Sequence, residues 1–517
     1  MNKIKRILSL LLIFSFYLSI TGCTGKNEER NIIYNTTTLI DNIDPQLADN
    51  ETELQIVYNT FEGLFKYDEN SKIVKGVVEE YKISQDGLTY EFKIRDDAKW
   101  ANGENLLAED FEFGLTRAVD KKINSPYSYT LLPIKNVEKI LAGKLSASEI
   151  GVKAISDKKL KIYLDYPTTE LLKILTMPVS MPCNKEFYED CKGYYGLNDE
   201  TVLSNGFYSV SNWNEEYCSL LKNEEYIGAK SLNTAVYIYF NTDDEFIESI
   251  DKNEVDFSII TNLVNSSEKT KTLDTIKVSD TTYSLFINKQ SNIAQSDILK
   301  ALTNSISFEI TEEIKNINGV AKTNKIAPKI LNNASEINGL NSKKYSKSKL
   351  QSMFLDGCEA LDIELSMPPI NIIYPANYIS EDITKQIAAK WQLLYGVTIN
   401  IEGITSLDDL EYRIDNGYFD AAVFPSVAVN DSAELFYGQF SKNYPNNFIG
   451  YRNSEFERNL KRLGRIKNKT KIMQKLNNKL IQNKYIIPLY TTSKLYYIKE
   501  ETDIFINKKN KIAYFYY

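Results

Sequence analysis

Tyr90-Glu91-Phe92-Lys93-Ile94-Arg95-Asp96-Asp97-Ala98-Lys99-Trp100-Ala101-Asn102-Gly103-Glu104 is the most legible stretch of the chain. Its first five residues alternate apolar and charged side chains. Successive side chains of a strand point to opposite faces, so the pattern predicts a strand whose sheet has one wet face. Asn102-Gly103 is turn chemistry. Trp100, and Phe111 beyond it, have the size of core residues rather than of ligand contacts. Upstream, 74–98 reads as short strands broken at Asp86-Gly87. Downstream, Leu107, Phe111, Leu115, Ala118 and Val119 recur at helical spacing. Residues 160–164 alternate again, and Pro167 ends that strand.

Outside this region the same rules give further elements. Residues 31–39 are β-branched and predict a strand. Leu54, Val57, Tyr58 and Phe61 predict a helix over 53–64, with Gly63 near its end. In the second half, strands over 279–288, 371–374, 397–401 and 419–424 alternate with helices over 297–306, 382–394 and 407–416. That alternation is the α/β pattern. Lys343, Lys344, Lys347 and Lys349 lie in a Ser-rich segment that reads as solvated linker. Residues 455–479 read as one basic helix with Phe456, Leu460, Leu463, Leu476 and Leu480 on its apolar side.

The chain has 517 residues, enough for two or three domains. It starts with Lys3, Lys5 and Arg6, follows with an almost wholly apolar run over 7–20, and reaches Thr21-Gly22-Cys23. A basic start, a short apolar run and small residues before a cleavage point make an export signal. The run is too short to span a bilayer comfortably, where about 20 residues are needed. Cys23 directly after Thr-Gly resembles the lipobox of bacterial lipoproteins, in which the signal is cut before the cysteine and the thiol carries diacylglycerol. An ordinary signal peptide with an incidental cysteine is the alternative. Residues 24–30 are polar and read as a tether. The expected location is outside the cytoplasmic membrane, held there by lipid.

Net charge is −8, and loss of the signal's three cations would make the mature chain more acidic still. Such a protein is a poor nucleic-acid partner, because phosphates demand basic clusters. There is no histidine. That removes Ser-His-Asp and Cys-His catalysis, His-ligated metal and the usual pH switch near neutrality. Carboxylate-only hydrolysis remains open. Beyond Cys23, the cysteines Cys183, Cys191, Cys218 and Cys358 form no Cys-x-x-Cys pair, so neither metal cluster nor redox motif is expected. Cys183 and Cys191 are near enough in sequence to close a small loop; free thiols are equally open.

Several stretches resemble the large solute-binding proteins of peptide-type ABC importers, the oligopeptide- and dipeptide-binding family (family 5 extracellular solute-binding proteins). The quoted stretch, with Ala108-Glu109-Asp110-Phe111, is similar to the family's signature segment. Asp44-Pro45, Phe61-Glu62-Gly63-Leu64 and Ser84-Gln85-Asp86-Gly87 match what surrounds it. Asn205-Gly206-Phe207-Tyr208, Leu221-Lys222-Asn223-Glu224-Glu225-Tyr226, Asn253-Glu254-Val255-Asp256, Tyr395-Gly396-Val397, Phe419-Asp420 and Ile487-Pro488-Leu489-Tyr490 follow in the right order.

The resemblance implies an α/β, two-lobed, periplasmic-binding-protein-like (type II) fold with an extra domain in the first lobe. Lobe I is expected over 31–64, 198–283 and 488–517, the extra domain over 65–197 and lobe II over 284–487, after a signal peptide at 1–22 and a lipidated tether at 23–30. It also implies a binding protein, not an enzyme, with no cofactor. The lobes would close on a peptide or peptide-like solute and deliver it to an ABC permease, the protein acting as a monomer. In the family the peptide lies as an added strand, and an aspartate pairs with its amino terminus.

Here the sequence departs from the pattern. Reading without gaps from Phe419-Asp420, the amine-pairing position falls on Val429, and the family's tryptophan three residues earlier becomes Ser426. Asp431 could serve only with a slip in the alignment. Tyr127 in Ser125-Pro126-Tyr127 matches a ligand-facing tyrosine of relatives, with interdomain packing as the alternative role. The expected contacts are therefore Tyr127, the backbone of Asp49, Asn50 and Glu51, the backbone of Ser426, Val427, Ala428 and Val429, and Asp431. Val429 motivates a second reading, a divergent receptor for a modified or signalling peptide or a sugar. An exported carboxylate-dependent hydrolase is the remote third.

Overall fold

Strand Thr89–Ile94, the centre of the quoted stretch, lies between Val78–Ile83 and Lys159–Tyr163 in a four-stranded antiparallel sheet completed by Val152–Ser156. Tyr90, Phe92 and Ile94 are buried, while Glu91 and Lys93 stand on the wet face and pair with Lys161 and Glu79. Helix Ala108–Val119 covers the dry face with Phe111, Leu115, Ala118 and Val119. Trp100 is fully buried, and its Nε1 donates to Asp110 Oδ2 at 3.1 Å. The same carboxylate accepts the Leu107 N–H at 2.8 Å, so it also closes the helix start. The computed structural model describes residues 30–228, 231, 233–260, 273–339, 344–363, 367–442, 452–500 and 502–516. The signal peptide and Cys23 lie outside the described residues.

A large mixed sheet organises the rest. Its central strands, Thr275–Ile287 and Ile486–Ile498, are each 13 residues long and antiparallel to one another. At one end, 275–278 pairs with 494–497. There Phe257–Ile260, Arg30–Thr36, Asn233–Phe240, Tyr217–Lys222 and Tyr208–Trp213 extend the sheet in that order. At the other end, 281–286 pairs with 486–492, and Ala421–Val427, Ile370–Pro375 and Ile399–Ile404 extend it the opposite way. Between the two ends the ladder slips at Ser279-Asp280. A bulge bends its strand and raises the local twist, so the two long strands cross between lobes at a bend.

Apolar packing follows the same division. One cluster joins the first strand, the four-stranded sheet and the C-terminal 504–516. Others lie around Leu285, Ile372, Trp391 and Tyr490, and around Phe436, Phe456 and Leu476. The molecule is an α/β, two-lobed fold with an extra domain on its first lobe.

Two local readings fail for stated reasons. The lysine-rich linker is in part a helix, Lys347–Glu359, capped by Ser346 and burying Leu350, Met353, Phe354 and Cys358. Its cations hide an ordinary apolar stripe; Lys343 lies outside the described residues. The single basic helix is two, Ser454–Leu463 and Thr470–Ile481. The chain turns at Gly464, where a Cβ would lie 2.3 Å from Glu434 Oε2. Cys183 and Cys191 are not joined; Cys183 is buried with its Sγ 3.3 Å from Arg117 Nη1.

Candidate functional site: a cleft at the bend

A cavity of about 310 Å³ lies between the lobes. Its first-lobe wall is the start of helix Glu51–Thr60. Asn50 caps that helix by accepting the Glu53 N–H at 3.0 Å, and Glu53 reaches back to the Asp49 and Asn50 N–H groups at 3.1 and 3.4 Å. This capping box sets Asp49 and Glu51 at the rim. Pro126, Tyr127, Met177 and Pro178 add to the lining. Tyr127 Oη donates to the Asp49 carbonyl at 3.4 Å. The second-lobe wall is strand Ala421–Val427 and helix Leu407–Asp415. The floor carries Lys494 from one long strand and Lys511 from the C-terminal segment.

Strand Ala421–Val427 pairs along its length with Thr275–Ile287, but among the described residues its other side meets Ile370–Pro375 only at Ala421 and Ala422. Phe424, Pro425, Ser426 and Val427 line the cavity beyond that point. An uncovered strand edge presents N–H and C=O groups to whatever lies beside it; Pro425 contributes only its carbonyl.

Charges in the cleft divide into compensated and uncompensated groups. Lys494 Nζ pairs with Glu51 Oε1 at 2.9 Å, and Lys511 Nζ with Asp280 Oδ2 at 2.8 Å. Burial would push Asp280 up, but Lys511 and Lys494 outweigh it and hold the carboxyl below its ordinary value. Asp49 and Glu411 have no such cation among the described residues. Burial, then the nearby Glu53, raises Asp49. Burial, then Asp408, Asp415 and Asp49, pushes Glu411 up to about 7.

Of the residues expected from sequence, Tyr127, Asp49, Glu51, Ser426, Val427 and Val429 line this cavity. Asn50, Ala428 and Asp431 do not. Asn50 is spent on the cap. Ala428 sits in an apolar cluster, its N–H donating to the Asp280 carbonyl at 2.8 Å. Asp431 is buried between Lys173 Nζ at 2.6 Å and Asn332 Nδ2 at 2.7 Å. Glu411, Lys494 and Lys511 were missed. Glu411 carried a findable signal: Leu407, Glu411 and Ile414 share one helical stripe, a charge placed among apolar positions. Lys494 and Lys511 lie far in sequence from Glu51 and Asp280, the acids they pair with, and only the fold brings them together.

Residues 72–448, well over half of the chain, match the sequence profile of the bacterial extracellular solute-binding proteins, family 5, middle region. The chain belongs to this family. The oligopeptide-binding protein OppA of Bacillus subtilis is 26% identical over 95% of this chain and 94% of its own length. Among solved family 5 folds, Listeria monocytogenes OppA bound to peptide superposes with a TM-score of 0.78 at 22% identity, covering 95% of this chain and 98% of that one. Haemophilus influenzae OppA in complex with RPPGFSPFR gives a TM-score of 0.80 at 20% identity, covering 94% and 97%. Among the described residues no helix is long and apolar enough to cross a membrane.

Proposed function

We propose that this family 5 protein captures peptides or peptide-like solutes in the cleft and hands them to an ABC permease. The observation that carries the reading is the uncovered edge of strand Ala421–Val427 along the cavity wall, which is where an extended backbone would add as a strand. The similar proteins support it: that of Bacillus subtilis is named oligopeptide-binding, that of Listeria monocytogenes is bound to peptide, and that of Haemophilus influenzae is in complex with RPPGFSPFR. Binding works by hinge closure without covalent chemistry. The hinge is the bulge at Ser279-Asp280 and the facing Ser493. Lobe I comprises 31–64, 198–283 and 488–517, the extra domain 65–197 and lobe II 284–487.

The protein acts as a monomer held outside the cytoplasmic membrane by lipid on Cys23. Cys23→Ala should release it or leave the signal uncut; unchanged membrane retention in detergent partitioning would overturn the anchor. Native mass spectrometry of protein purified without denaturation tests the ligand class. A retained mass that fragments as a peptide is expected, and a retained sugar or other non-peptide would overturn the reading. Val429 on the cavity wall, with Asp431 tied to Lys173, favours a second reading, a receptor for a modified or signalling peptide.

A further inference from the structure

We propose that the back of the bend holds a site for a multiply charged, phosphate-bearing anion. A second cavity lies there, with a volume of about 560 Å³. It takes Ser279 from the bulge and Ser493 from the facing strand. Five lysines line it: Lys277, Lys315, Lys329, Lys508 and Lys509. Asp431 is the one acid among the described lining residues, and it is already held by Lys173 Nζ at 2.6 Å and the Asn332 amide at 2.7 Å. Lys315 pairs with Glu312 at 2.5 Å, and Lys277 Nζ donates to the Asn316 carbonyl at 3.1 Å. Lys329, Lys508 and Lys509 form no ion pair among the described residues, although all three line the cavity.

A single lysine on a surface is screened by salt, but several around one concavity sum to a field that draws in anions. Ammonium groups act as compact point charges on phosphate oxygens, and no arginine lines the cavity to grip a lone carboxylate with its fork. Ser279 Oγ is buried at the bend with no hydrogen-bond partner among the described residues, and an oxyanion oxygen is an acceptor for it. Successive residues divide between this cavity and the cleft: Ser493 lines the one and Lys494 the other, Lys509 the one and Asn510 and Lys511 the other. Neighbouring side chains of a strand point to opposite faces, so the lysine cavity backs the cleft. By the division proposed above, Lys277, Lys508 and Lys509 belong to lobe I, and Lys315 and Lys329 to lobe II. An anion among them ties the lobes together behind the hinge. Closing the cleft in front spreads the back, so the bound anion favours the open form, and by linkage a closed cleft weakens anion binding. That coupling rests on the reading of the cleft as the solute site; the anion site does not.

The test is calorimetry at physiological ionic strength on the mature chain without its lipid, stripped of retained solute. The probes are pyrophosphate, phosphatidylglycerol vesicles and phosphatidylcholine vesicles. Pyrophosphate or the phosphatidylglycerol vesicles should bind saturably, and the phosphatidylcholine vesicles should not. Pyrophosphate binding alone marks a free anion as the source, and vesicle binding alone marks a lipid headgroup. The triple variant Lys329→Gln/Lys508→Gln/Lys509→Gln, checked for folding by its circular-dichroism melt, should bind the successful probe at least about tenfold more weakly. Lys185→Gln/Lys300→Gln/Lys385→Gln removes three exposed lysines from other helices. It makes the same change in net charge and should cost less than about threefold. Absence of binding by both anionic probes, or equal losses in the two triple variants, would overturn the site. Protein that keeps its retained solute should bind the successful probe at least about threefold more weakly than stripped protein. Equal affinity in the two forms would overturn the coupling to the hinge, while the site itself stands or falls on the stripped protein.

Discussion

Lys173→Met should weaken solute binding without touching the cleft. Lys173 Nζ lies 2.6 Å from Asp431 Oδ1 and 3.3 Å from Glu170 Oε2. Its side chain is 13% exposed and that of Asp431 is 3% exposed. By the division proposed above, Lys173 and Glu170 belong to the extra domain, and Asp431 and Lys469 to lobe II. Lys469 also pairs with Glu170, so four charges alternate across the contact. Burial would raise Glu170, but Lys173 and Lys469 overcome it and hold the carboxyl at about 2. Removing one partner of a buried pair costs about 3–5 kcal/mol, because the other charge is left behind. Asp431 keeps the Asn332 amide, so the low end applies. The open form would hydrate these groups and lose little, so the cost falls on the closed form. At 1.4 kcal/mol per tenfold, affinity should drop by roughly a hundredfold. Calorimetry with the peptide recovered from the native protein measures the drop, and small-angle scattering with saturating peptide measures the shift toward an open shape. Lys173→Met/Asp431→Leu, which removes both charges, should recover most of the affinity. If Lys173→Met lowers the melting temperature but leaves affinity and shape unchanged, the contact serves folding alone and the reasoning is wrong.

Glu434 is buried beside Thr168, whose Oγ1 donates to it at 3.1 Å, and burial with Glu170 nearby pushes its carboxyl up to about 7. An acid raised in the folded state holds its proton more tightly there than in the unfolded chain. Stability should therefore fall as pH rises from the ordinary carboxylate range to about 7, and Glu434→Gln should flatten that slope and add roughly 1–3 kcal/mol above it; urea melts near pH 5 and pH 8 check this, and an unchanged slope would refute it. Arg117→Met should cost about 3–5 kcal/mol, because Asp44 is 1% exposed and loses its ion pair; a urea midpoint within error of the unmodified protein would contradict it, and Arg117→Met/Asp44→Asn should recover part of the loss. Gly464→Ala should cost about 1–3 kcal/mol by driving a methyl into Glu434, with a neutral melting temperature as the refuting result.

What was legible in the sequence follows from the range of the physics involved. Tyr90, Phe92 and Ile94 announce a strand because the alternation is local, and the wet face needs no knowledge of partners. The sheet's two long strands were seen only in part: 279–288 was read as starting where the observed strand is already bending, since a bulge leaves the apolar pattern on both sides in different phase. The lysines of 347–349 and the break at Gly464 misled for a related reason. In the first case lysines and serines mask the apolar stripe of Leu350, Met353, Phe354 and Cys358, and in the second a close approach to Glu434 has no sequence pattern.

The site divides along the same line. Tyr127 and the 426–429 segment came from ordered resemblance, and all but Ala428 line the cavity. Resemblance carries electrostatic role poorly, because a role depends on which charges remain unpaired after folding. Asp431 shows the limit: two residues from the expected position, it is turned away to Lys173, 258 residues earlier in the chain. Glu411 shows the converse: its place in an apolar stripe is a local signal, but that it lacks a cation among the described residues is seen only once Lys494 and Lys511 are found committed to other acids. Whether a charge can serve a ligand is decided by what else in the fold has already neutralised it, and that quantity is non-local. A receptor can therefore keep its fold and its cleft while moving its charged contact from one wall to another, and the sequence signature of the fold will not register the change.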